Sequence, residues 1–100
     1  MSDTQCHVII RGRVQGVGYR AFVEDEAAII GVDGWVRNRA DGSVEAVFAG
    51  PAEAVRAMVE ACRRGPETAC IDGIEQRVAS AQELAMRGAE RFAVLPTTQK

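Results

Sequence analysis

Hydrophobic and polar positions alternate over residues 6–14, with Val8, Ile10 and Val14 in one phase and His7, Arg11 and Arg13 mostly in the other. A period of two predicts a strand with one buried face. At Arg20 the period changes. Val23, Ala27 and Ile30 recur at helical spacing, which predicts a helix over 20–30. Glu24, Asp25 and Glu26 fall near its start, where the macrodipole favours acids, and Gly31 supplies a stop. A second strand is expected over 34–39. Ala40-Asp41-Gly42-Ser43 then reads as a hairpin turn into a third strand over 44–49. Gly50-Pro51 ends that strand and opens a second helix, whose apolar stripe is Ala52, Val55, Val59 and Cys62. Arg63 and Arg64 occupy its last turn and Gly65-Pro66 stops it. A fourth strand spans about residues 69–78. Residues 80–90 are ambiguous but locally helix-like, and 92–95 read as a short last strand.

The order β-α-β-β-α-β, plus a short tail strand, predicts an α+β ferredoxin-like sandwich: an antiparallel sheet with both helices on one face. Residues 1–100 form one domain on this reading, with 1–5 and 97–100 as flexible tails. The topology has a geometric consequence. The first strand climbs to a glycine-rich loop, the first helix descends and the second strand climbs again. Asn38, in phase with Val36, therefore arrives at the same sheet edge as the loop and faces the helix-bearing side.

Composition narrows the function. With 47% hydrophobic residues in 100, the chain can build a single core. No apolar run approaches the length of a membrane span and no leader pattern stands at the N-terminus, so the expected compartment is the cytoplasm. The three cysteines, Cys6, Cys62 and Cys70, are odd in number and lack a CxxC pair; they are expected to be reduced and mostly packing residues, and no metal site is expected. A net charge of −2 gives no global field toward nucleic acid or an anionic membrane, and neither is expected as a partner. The arginines Arg11, Arg13, Arg20, Arg37 and Arg39 nevertheless crowd the first forty residues. A local positive site on an acidic chain suits a small anion.

The densest chemistry lies in Gly12-Arg13-Val14-Gln15-Gly16-Val17-Gly18-Tyr19-Arg20-Ala21-Phe22. Gly16 and Gly18 can take positive φ, which turns successive backbone N–H groups toward one spot. The following helix start adds unsatisfied N–H groups and a partial positive charge. Arg20 offers a planar, always-protonated fork for phosphate oxygens. The backbone of Gln15, Gly16, Val17, Gly18, Tyr19 and Arg20 is thus a candidate phosphate cradle, and Asn38 supplies a neutral amide beside it. Read alone, Arg20 is a helix-start arginine and Asn38 a strand-end cap. His7 is structural or solvated, Trp35 packs on the sheet, and Arg13, Arg37 and Arg39 are solvated.

The loop, followed by Gly34-Trp35-Val36-Arg37-Asn38 and Asp41-Gly42-Ser43-Val44-Glu45, resembles the acylphosphatase family over residues 8–74, with Phe92 matching the family's last strand. The resemblance implies hydrolysis of acyl phosphates to a carboxylate and inorganic phosphate, with no metal or organic cofactor. It gives phosphate binding to Arg20 and the 15–20 backbone, and positioning of the attacking water to Asn38. Tyr19 stands where phenylalanine is frequent in the family, a departure expected to matter little. Gly65-Pro66-Glu67-Thr68-Ala69 replaces a more usual double-proline segment. The runner-up is a non-catalytic module of the same fold that binds a phosphate metabolite and regulates a partner. An RNA-binding reading lacks the aromatic pairs expected on the central strands. The substrate partner is a small acyl phosphate, and a monomer is the default at this size.

Overall fold

The computed structural model describes residues 3–99, in the order β1 (Asp3–Arg13), α1 (Tyr19–Ile30), β2 (Asp33–Asn38), β3 (Val44–Pro51), α2 (Ala52–Arg64), β4 (Cys70–Val78), α3 (Ala81–Ala85) and β5 (Phe92–Val94). One five-stranded sheet runs β4-β1-β3-β2-β5. The first four strands pair antiparallel, as a ferredoxin-like fold requires. β5 instead pairs parallel to β2, with Gly34 opposite Phe92 and Val36 opposite Val94, so the sheet is mixed rather than wholly antiparallel. Residues 79–91 carry the chain from β4 at one edge of the sheet, over the reverse face, to β5 at the other.

Alternation decides which side chains meet the long helices. Val8, Ile10, Val36, Ala46 and Phe48 pack against Val23 and Ala27 of α1 and Val55, Met58, Val59 and Cys62 of α2 in one cluster. The helical stripe differs from the expected one. Ala52 is exposed at the first position of α2, before the helix has passed over the sheet, whereas Met58 is fully buried. Because α1 already begins at Tyr19, Glu24, Asp25 and Glu26 lie beyond its first turn, which contains no acid.

The reverse face carries a smaller cluster of Trp35, Val47, Ala79 and Ala93, joined by Leu84 and Leu95. Thus α1 and α2 share one face, and α3, from the ambiguous 80–90 segment, sits on the other. Ser80 and Glu83 form a reciprocal capping box, and Trp35 Nε1 donates to Glu83 O at 2.6 Å. Beside Trp35, Arg37 departs from its solvated reading. Its side chain is 17% exposed, its Nε donates to Glu45 Oε1 at 2.7 Å, and its guanidinium lies 4.8 Å from the Trp35 ring centre. The other Glu45 oxygen lies 2.7 Å from Nε2 of the buried His7. Burial pushes the Glu45 carboxyl up, but the hydrogen bonds from His7 and Arg37 outweigh it and leave its pKa below the ordinary value. Arg39 is also largely covered, with its side chain 19% exposed.

Within both expected tails, described residues are hydrogen-bonded to the sheet. Asp3, Thr4 and Gln5 pair with Pro51, Gly50 and Ala49, because β3 continues to Pro51 and offers them partners. Thr98 bridges Arg39: its N–H donates to Asn38 O at 3.0 Å, and its carbonyl accepts from Ala40 N–H at 2.9 Å. Residues 1, 2 and 100 lie outside the described residues. Among the described residues, no helix is long and apolar enough to cross a membrane. The three cysteines are free: Cys62 is buried, Cys6 half-buried and Cys70 exposed.

Candidate functional site

β1 and β2 both run antiparallel to β3, so they are parallel to each other and their C-terminal ends share one sheet edge. The loop leaves β1 at that edge. Gly16 has φ 72° and Gly18 φ 79°, and a Cβ built on either glycine meets nothing within 4 Å. These glycines are required for backbone conformation, not for space. Gly18 is also the residue before α1, with no side-chain cap on the helix start. Among the described residues, none of the six backbone N–H groups from Gln15 to Arg20 has a protein acceptor. Arg20, second in α1 and half-buried, likewise makes no hydrogen bond or ion pair there.

Asn38 ends β2 opposite Val44 and shares the face of Val36, which lies in the helix-side core. Its Oδ1 is buried without a hydrogen-bond partner. Buried polar atoms are paired in the great majority of cases, so this one stands apart. The main chain around it is tied on both sides: Thr98 takes the Asn38 carbonyl, and the hairpin closes through Arg39 N–H to Ser43 O at 2.9 Å. Asp41 Oδ1 accepts from Ser43 N–H at 2.9 Å and from Ser43 Oγ at 2.5 Å. Those hydrogen bonds, with Arg39 and Arg11 nearby, lower the Asp41 carboxyl to about 2.

One side chain joins the two halves. Gln15 Nε2 donates to Arg39 O and to Ser43 O, both at 2.8 Å. The loop that carries the unpaired N–H groups is therefore fastened to the hairpin that begins at Asn38.

Comparison with known proteins places this architecture. The acylphosphatase family model matches residues 6–93. The chain belongs to the acylphosphatase family. It is 56% identical over 98 residues to an acylphosphatase of Nitrobacter hamburgensis, covering 97% of this chain and 99% of that one. An acylphosphatase of Bradyrhizobium diazoefficiens is 55% identical with the same coverage. Among solved structures, the acylphosphatase from Bacillus subtilis superposes with a TM-score of 0.80 at 38% identity, over 91% of this chain and 97% of that one.

Two further side-chain contacts support the loop in this acylphosphatase-family chain, and the sequence signalled neither. Tyr19, although part of the expected cradle through its backbone, is 1% exposed and donates its hydroxyl to Cys62 O at 2.7 Å. That carbonyl lies in the last turn of α2, and the residue four positions on is Pro66, which has no N–H to give it. Burial pushes the Tyr19 hydroxyl pKa up strongly, so it stays a donor. Burial likewise pushes the Cys62 thiol up to about 12. Thr68, in the α2–β4 connection, donates its Oγ1 to Val17 O at 2.7 Å. A lone threonine between a helix and a strand carries no periodic or motif signal that would have found it. Among the described residues, no three or more His, Cys, Asp or Glu side chains are placed to hold a metal ion.

Proposed function

We propose that this acylphosphatase-family hydrolase cleaves acyl phosphates by holding the phosphoryl group in the Gln15–Arg20 backbone and aiming water at it from Asn38. The observation that carries the reading is the coincidence, at one sheet edge, of unpaired loop N–H groups and a buried, unpaired Asn38 Oδ1. The loop amides and the Arg20 guanidinium receive the equatorial phosphoryl oxygens, whose charge the transition state spreads. Asn38 Oδ1 accepts from water and fixes its line of attack. A bond forms from the water oxygen to phosphorus as the bond from phosphorus to the acyl oxygen breaks. The carboxylate leaves as a weak base and needs no general acid. The water proton passes to a phosphoryl oxygen of the substrate, so no side-chain base is required beside Asn38. Neither step draws on a metal or an organic cofactor.

Hydrolysis of benzoyl phosphate, followed by its ultraviolet absorbance in EDTA, tests the reading. Wild type should turn over rapidly. Asn38→Ala should lose turnover while inorganic phosphate still binds. Turnover retained by a folded Asn38→Ala protein would remove the amide from the mechanism.

A further inference from the structure

The α2–β4 connection is built with more constraint than a spacer needs. Gly65 leaves α2 at φ 60° and ψ 178°, a region essentially closed to other residues. A Cβ there would also lie 3.3 Å from Tyr19 Cε2. Ala69 N–H returns to Pro66 O at 3.0 Å and closes the turn. The turn delivers Thr68, whose hydroxyl holds the carbonyl of Val17, the residue between the two left-handed glycines of the loop. In a planar trans peptide, the Val17 carbonyl and the Gly18 N–H point in opposite directions. Fastening the oxygen to Thr68 therefore aims the Gly18 N–H away from the connection. Without that anchor, the Val17–Gly18 peptide can turn over about Val17 ψ and Gly18 φ, because glycine accepts either sign of φ.

We propose that Thr68 is a positioning residue, which locks the Val17–Gly18 peptide so that the Gly18 N–H faces the phosphoryl group. The proposal rests on the phosphate-cradle reading above. It predicts that Thr68 acts on phosphate affinity through Gly18, separately from any contribution to stability.

The test compares Thr68→Val, which keeps the shape but removes the donor, with Thr68→Ser, which keeps the hydroxyl. Inorganic phosphate is the probe, read by its competitive inhibition constant and by the Gly18 amide in 1H–15N spectra. Thr68→Val should weaken phosphate about tenfold, the scale of one hydrogen bond to a charged group, and raise KM. Its Gly18 amide should lose most of its response to phosphate. Thr68→Ser should stay close to wild type in both. A Thr68→Val protein with wild-type phosphate affinity and Gly18 response, whatever its melting temperature, overturns the proposal and leaves Thr68 a structural residue. Should that variant not fold, wild type alone decides: a Gly18 amide unmoved by saturating phosphate also overturns it. If wild type binds no phosphate at all, the cradle itself is refuted, which separates that failure from this one.

Discussion

Replacing Tyr19 by phenylalanine deletes one oxygen atom and leaves the ring that packs 6.1 Å from Phe22 in place. The Cys62 carbonyl then loses its donor in a site where Tyr19 and Cys62 are 1% and 0% exposed, so water does not replace it. Pro66 cannot substitute, since it has no N–H. A buried carbonyl left unpaired costs about 2 kcal/mol, against about 1 kcal/mol for the mean net value of a hydrogen bond that water can replace. In a domain of this length each kcal/mol moves Tm by roughly 4–8 °C, so Tyr19→Phe should melt on the order of 10 °C lower. Urea unfolding at 25 °C should show the same loss with an unchanged m value, because the surface exposed on unfolding is the same. Turnover of benzoyl phosphate well below the melting temperature should be near wild type, since the hydroxyl faces α2. A Tm within about 2 °C of wild type would refute the reasoning, because it would mean the carbonyl is satisfied without Tyr19. Phenylalanine at this position is thus not the neutral exchange that sequence comparison suggests.

Other perturbations have equally defined outcomes. Arg20→Lys keeps the charge but loses the fork, and should lower kcat/KM by the equivalent of about 3 kcal/mol; full activity would remove Arg20 from phosphate binding. Gln15→Ala breaks both bonds to the hairpin, so phosphate affinity and Tm should fall together, while Gln15→Glu, which cannot donate to two carbonyls, should not rescue it. EDTA should leave turnover unchanged in wild type, and a rate restored by added divalent cation would contradict the mechanism. Asp41 and Glu83 are each lowered to about 2, Asp41 by Ser43 and Glu83 first by Arg77. A depressed carboxyl stabilises the fold above its ordinary pKa and loses that contribution as the pH falls through the folded value. The urea midpoint should therefore drop between about pH 4.5 and 2, and Asp41→Asn should start lower at neutral pH and fall less steeply.

The elements were legible where local chemistry decides them. Period-two patterning located β1 and β2, helical spacing located α1, and Asp41-Gly42 fixed the hairpin, because those signals act within a few residues. β5 was legible as a strand but not in its direction, since a parallel pairing depends on where residues 79–91 cross the sheet. The pairing of Asp3–Gln5 and of Thr98 involves partners 44 or more residues away, which no local pattern reports. At the candidate site, the glycines at positive φ and the shared sheet edge followed from sequence and topology. What tied the parts together did not: Gln15 to the Arg39 and Ser43 carbonyls, Thr68 to Val17 and Tyr19 to Cys62 are side-chain-to-backbone bonds across the fold. Any polar residue can form such a bond, so its identity alone carries no signal.

The bridge from Thr98 to Asn38 and Ala40 makes the two ends of the chain unequal as points of attachment. Asp3 begins a strand of 11 residues whose other end feeds the glycine loop, so it stands roughly 30 Å from that edge. Thr98 is hydrogen-bonded on the site strand itself. A partner domain or surface linker fused before residue 3 would leave the edge open, whereas the same fusion just after residue 99 would pull on the backbone of Asn38. Immobilised or tethered forms of this hydrolase should be built from the N-terminal side.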